Sequence, residues 1–134
     1  MKVDHIGIAT TSIKDAAAFW SLALGAEISE PEVVAEQLVR VAMLPVGESR
    51  IELLEPTNDS SPVAKFLERH GPGIHHVALR VPDIRVALEQ LQASGARLID
   101  AEPRRGADGC LIAFIHPSAT GGVLVELVEH VEQE

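Results

Sequence analysis

Val3-Asp4-His5-Ile6-Gly7-Ile8-Ala9 aligns without a gap onto Ile74-His75-His76-Val77-Ala78-Leu79-Arg80, at an offset of 71 (74 − 3), and the match continues through Ile13 and Ile84. At the far end of each half, Ile51-Glu52-Leu53-Leu54-Glu55 recurs as Val125-Glu126-Leu127-Val128-Glu129. The chain therefore reads as one strand–helix–strand module written twice, with His5 equivalent to His76 and Glu52 to Glu126. Two imidazoles and two carboxylates related by a pseudo-twofold axis form a donor set suited to a divalent metal.

Composition limits what such a module can do. At 134 residues, 46% apolar and 23% charged, the chain is large enough for one domain built of two halves that share a core. A single cysteine, Cys110, excludes an intramolecular disulfide. No apolar run approaches the roughly 20 residues of a membrane helix, and Met1 leads almost at once into a strand-like run with no room for a leader. These features predict a cytoplasmic protein. A formal net charge of −9 and 3% aromatics, with no tyrosine, argue against nucleic acid as a partner.

Caps and periods give the elements. Ser12-Ile13-Lys14-Asp15 fits a capping box, and Ala16, Ala17, Phe19, Trp20 and Leu24 form an apolar stripe that stops at Gly25. Phe19 and Trp20 read as core by this spacing. In the second half Asp83 caps a stripe of Val86, Ala87, Leu88 and Leu91 that ends at Ser94-Gly95. Ser61-Pro62 opens and Gly71-Pro72 closes a short helix between the halves. Residues 37–46, 50–54, 97–100, 111–115 and 122–128 read as strands, rich in Val, Ile and Leu. Each half is βαβββ, and the fold class is α+β. The expected organisation is a single domain over 1–134, with one module over about 1–57, a linker helix over about 61–70 and a second module over about 73–130.

Strand alternation narrows the site. Of the adjacent His75 and His76 only one points to a given face, and the repeat selects His76 as the partner of His5. His75 and His70 are read as outside the site. Glu52 lies between Ile51 and Leu53, and Glu126 between Val125 and Leu127. An ionised carboxylate in an apolar strand is costly unless paired or metal-bound. Taken singly, each glutamate reads more readily as the solvent side of a half-exposed strand. Taken with two symmetry-matched histidines, the metal reading is the stronger.

At this point the sequence resembles the vicinal oxygen chelate (glyoxalase/bleomycin-resistance) superfamily, over essentially residues 1–130, and within it the methylmalonyl-CoA epimerases. The resemblance is carried by Asp4-His5-Ile6-Gly7-Ile8-Ala9, Ser61-Pro62-Val63-Ala64-Lys65-Phe66-Leu67, Gly73-Ile74-His75-His76, Glu102-Pro103-Arg104-Arg105-Gly106-Ala107, and His116-Pro117 leading to Gly121-Gly122-Val123-Leu124-Val125-Glu126-Leu127. It implies a curled sheet around a central metal held by His5, Glu52, His76 and Glu126, with cobalt the foremost ion and manganese, nickel or zinc the alternatives. It further implies an acyl-CoA substrate of propionate metabolism, inverted at C2 through a metal-stabilised enolate, and a homodimer.

Inversion needs two proton-carrying groups on opposite faces of a near-planar enolate. The resemblance implies Glu126 for one. Some relatives place a second catalytic glutamate on the strand matching residues 37–43, where this chain has Val41 beside Arg40. In such relatives the ligand matching Glu52 can be a glutamine, whereas here it is a glutamate able to carry a proton. Glu52 and Glu126 are thus expected to serve as acid/base groups as well as ligands. Arg104, Arg105 and His116 are candidates for substrate contact, the arginines toward coenzyme A phosphates or equally as solvated loop charges. Cys110 reads as structural. The rival readings are a glyoxalase I-like isomerase acting on a hemithioacetal and a metal-free drug-binding protein of the same fold. An extradiol dioxygenase would want two histidines and one carboxylate, so Glu52 argues against it.

Overall fold

The computed structural model describes residues 1–131 and divides into two compact units, one of His5–His75 and one of Met1–Asp4 with the chain from His76 onward. In the first, β1 (Lys2–Ala9) is followed by α1 (Ile13–Leu24), β2 (Glu32–Val34), β3 (Val39–Val46), β4 (Ser49–Pro56) and α2 (Pro62–His70). Its strands lie in the order β2-β3-β4-β1, antiparallel except for the parallel pair β4 and β1. The second unit repeats this pattern with β5 (Gly73–Arg80), α3 (Ile84–Ala93), β6 (Arg104–Arg105), β7 (Leu111–Ile115) and β8 (Val125–Glu129). Here the order is β5-β8-β7-β6, with β5 and β8 parallel. Each unit thus returns its last strand beside its first, through βαβββ as expected.

The caps behave as the sequence predicts. Ser12 Oγ accepts from Asp15 N at 3.2 Å, and Asp83 Oδ1 accepts from Arg85 N and Val86 N at 3.1 and 3.2 Å. Gly25 closes α1 in the left-handed region, at φ 62°. Under α1, Ile13, Ala42, Leu44 and Leu53 form a buried cluster joined by Ala16, Ala17 and Trp20. Two stripe residues leave their expected place: Phe19, 61% exposed, falls outside the i, i+3, i+4, i+7 face made by Ile13, Ala16, Ala17 and Trp20, and Leu24, the last residue of α1, is 64% exposed. Under α3, Ile84, Leu88, Ala113, Ile115 and Leu127 form the matching cluster.

Three strand expectations are corrected. The run from residue 37 begins as a strand only at Val39, because Leu38 sits in the left-handed region (φ 56°) at the end of a 3-10 turn over Ala35–Gln37. Residues 97–100 make a single bridge, Leu98 to Ile115, rather than a strand. The Asp100 carboxylate takes the Phe114 amide at 2.9 Å, while the Ile99 and Asp100 amides both donate to the Phe114 carbonyl, so the ladder cannot extend. The second strand of this module is instead β6. The run from residue 122 starts as a strand at Val125, because Gly121 and Gly122 (φ 75° and 105°) turn the chain first.

The second glutamate of each repeated motif has a structural role that composition does not reveal. Glu55 Oε1 accepts from Ile13 N at 3.1 Å, and Glu129 Oε1 accepts from Ile84 N at 2.9 Å. These are the first amides of α1 and α3, donors that the Ser12 and Asp83 side chains do not reach. A carboxylate at a helix N-terminus also complements the helix dipole. Each module therefore ties its helix to its last strand by one charge-assisted bond. Glu129→Ala is expected to cost about 2 kcal/mol and lower the thermal midpoint by roughly 5–10 °C, whereas Glu129→Gln, which keeps an acceptor oxygen, should lose less than half of that. Paired melting curves check this.

Candidate metal centre

The two modules build the same half-site from the same register. In the first unit Gly7 of β1 lies opposite Glu52 of β4, so His5, two residues earlier on β1, shares a face with Glu52. Its Nε2 lies 3.4 Å from Glu52 Oε1. In the second, Ala78 of β5 lies opposite Glu126 of β8, and His76 Nε2 lies 3.3 Å from Glu126 Oε1. Glycine and alanine at the intervening positions leave the room that imidazole and carboxylate share. The four side-chain-bearing residues are only 3–6% exposed. The solvent-facing alternative for the glutamates is thereby overturned: Ile51 and Leu53 pack toward α1, and Glu52 takes the buried opposite face.

The separations bear on what these donors hold. A distance of 3.3–3.4 Å is longer than the roughly 2.7–3.2 Å of a good N–H···O bond. It matches the spacing of about 3.0–3.5 Å between neighbouring ligands of one ion bound at about 2.0–2.2 Å. Buried nitrogen and oxygen donors at these separations fit a divalent cation, which would also offset the cost of burying the carboxylates.

Beside the histidine–glutamate pairs the lining is hydrocarbon. In the second unit Ala78, Cys110, Ile112 and Val128 form a buried cluster with Phe114 against it. Phe114, opposite Glu126 across β7 and β8, meets the His76 ring edge to face at a centroid distance of 5.6 Å. Cys110 is part of this apolar lining. In the first unit Met43 takes the place of Phe114, opposite Glu52, and Val41, 3% exposed, lies opposite Leu54 on the same face. Val41 and its repeat equivalent Ile112 thus both put hydrocarbon where a second carboxylate could have stood. Gly106, in the Arg-Arg-Gly run, is required by contact: a Cβ there would lie 2.7 Å from Ile112 Cγ2.

The remaining sequence candidates fall in different places. Arg104 is engaged by Asp100, with Nε 3.1 Å from Oδ1, and the two-residue strand puts Arg105 on the opposite face. His70 and His75 flank Phe66, at ring distances of 4.8 and 5.0 Å. His116 follows β7 and caps a tight turn over Pro117–Ala119. Sequence reading missed Phe114, whose register opposite Glu126 mirrors that of Met43. It also missed the buried Asp4, whose Oδ1 lies 2.5 Å from His130 Nε2.

Known proteins share this architecture. Residues 4–114 match the model of the Glyoxalase/Bleomycin resistance protein/Dioxygenase superfamily. The mitochondrial methylmalonyl-CoA epimerase of Dictyostelium discoideum is 39% identical over 96% of this chain and 78% of its own. The ethylmalonyl-CoA/methylmalonyl-CoA epimerase of Cereibacter sphaeroides is 38% identical over 94% of this chain and 96% of its own. A variant of Streptomyces coelicolor methylmalonyl-CoA epimerase, solved with 2-nitronate-propionyl-CoA, superposes with a TM-score of 0.95 at 38% identity, covering 100% of this chain and 97% of that one. With its paired βαβββ modules and its matched histidine–glutamate pairs, the chain belongs to the methylmalonyl-CoA epimerase family of enzymes, within the Glyoxalase/Bleomycin resistance protein/Dioxygenase superfamily.

Proposed function

We infer that this protein interconverts (R)- and (S)-methylmalonyl-CoA by moving a proton at C2, with His5, Glu52, His76 and Glu126 holding a divalent ion. The observation that carries the reading is the pair of buried histidine–glutamate contacts, alike in register and separation. Cobalt is the first choice of ion, with manganese, nickel and zinc as alternatives that the same donors accept. When bound, such an ion supplies Lewis-acid stabilisation of the charge that develops on the thioester oxygen.

The chain's own residues supply the rest. Glu126 removes the C2 proton, and Glu52, its repeat equivalent, delivers one to the opposite face. Leu54, Val41, Ile112 and Val128 line the ligand faces with hydrocarbon, which excludes the water that would otherwise protonate the enolate from either side. The relatives named for methylmalonyl-CoA and ethylmalonyl-CoA support a 2-alkylmalonyl thioester as the substrate class. Cytoplasmic action on propionate-derived thioesters and a homodimeric state complete the proposal. Phe19 and Leu22, 61% and 87% exposed on α1, offer apolar surface for pairing. Among the described residues no helix is long and apolar enough to cross a membrane.

A single diastereomer tests the activity. Cobalt-loaded protein given pure (S)-methylmalonyl-CoA should produce a near-equal mixture of diastereomers, read by chiral separation. Persistence of the single diastereomer with the ion bound would refute the epimerase reading and favour a glyoxalase-like one.

A further inference from the structure

His116 follows β7 in extended backbone (φ −63°, ψ 137°), so strand alternation carries it to the face of Phe114, the face that bears Glu126 and His76 in the same unit. Its ring is fixed. Nδ1 lies 3.0 Å from Ser118 N and 2.8 Å from Ser118 Oγ. The Ser118 N–H can only donate, so Nδ1 must offer its lone pair, and the neutral ring then carries its proton on Nε2. The backbone around it is held as firmly: His116 N donates to Arg97 O at 3.0 Å, Ala119 N to His116 O at 2.9 Å and Gly122 N to Pro117 O at 2.8 Å. Among the described residues Nε2 meets no acceptor. A partly buried imidazole with a locked tautomer thus presents one aimed N–H donor, about 6.6 Å along the strand from Phe114.

The repeat shows what this donor adds. Phe114 is equivalent to Met43, so His116 is equivalent to Pro45, which has no side-chain donor at all. A ligand set that is the same in both modules cannot decide which way round an asymmetric thioester lies. A donor present in one module only can.

We propose that His116 Nε2–H is a recognition donor for a carbonyl oxygen of the bound acyl-CoA thioester and sets its orientation; this rests on the acyl-CoA reading above. Two substitutions separate the role from turn-making. Asparagine at 116 puts an amide oxygen near Nδ1 and keeps the turn, but loses the outer donor; glutamine reaches the Nε2 position with an amide N–H, but loses the turn's acceptor. Calorimetry with methylmalonyl-CoA on cobalt-loaded protein should show His116→Asn binding about tenfold more weakly at unchanged melting temperature and cobalt content. His116→Gln should melt lower yet bind within about threefold of the parent. Equal affinity of His116→Asn and parent, or affinity that falls only in step with melting temperature, would overturn the proposal. Because affinity is read directly, a parent that binds the thioester without exchanging its proton would sink the epimerase reading and still leave His116 judged.

Discussion

Glutamine in place of Glu126 is expected to slow removal of the C2 proton by about 10²–10⁴-fold, the usual contribution of a positioned general base, while the protein keeps its fold and its ion. Glu126 is 4% exposed, lies opposite Ala78 and sits 3.3 Å from His76 Nε2. Glutamine has the same shape and still offers an oxygen to a cation, but it cannot take a proton. Loss of rate with cobalt content unchanged, measured by metal analysis beside the kinetics, assigns Glu126 to proton transfer. A variant that keeps more than a tenth of the parent rate while holding its ion removes Glu126 from that role.

Glu52→Gln is the second large effect, and its signature is different. With Glu126 intact, one face of C2 can still lose and regain a proton, so the variant should wash deuterium into one diastereomer with retention while inversion falls at least 10²-fold. The expectation follows from Val41 and Ile112, which leave Glu52 and Glu126 as the matched carboxylates on the buried ligand faces. By register the next carboxylate is Glu32, which lies opposite Val41 from the edge strand β2 and is exposed. If Glu52→Gln kept its inversion rate and Glu32→Gln lost it, the second proton carrier would be Glu32.

Much of the fold was legible because the duplication prints it twice. A histidine in an apolar strand says little alone; the same histidine 71 residues later, with a glutamate at the matching end of each half, implies a shared geometry that the parallel registers Gly7–Glu52 and Ala78–Glu126 bear out. Ser12 and Asp83 were legible as caps because their role depends only on neighbours in sequence. What escaped depended on partners far along the chain. Glu55 and Glu129 look like their motif partners, and only the approach of Ile13 and Ile84, 42 and 45 residues away, gives them helix amides to hold. Residues 97–100 have strand composition, yet the Asp100 side chain takes the amide a strand neighbour would have used. Phe19 shows the limit of helical spacing: adjacent aromatics cannot both face inward, and the helix packs Trp20 against the core only by turning Phe19 out.

Abstraction of the C2 proton at this site is expected to need a divalent ion. Proton NMR of methylmalonyl-CoA in deuterated water tests it most directly, with purified protein alone, with added cobalt, and with cobalt followed by chelator. The C2 proton signal should disappear in the presence of cobalt and persist once the chelator is added. A C2 signal that survives with one cobalt ion bound per chain would contradict it.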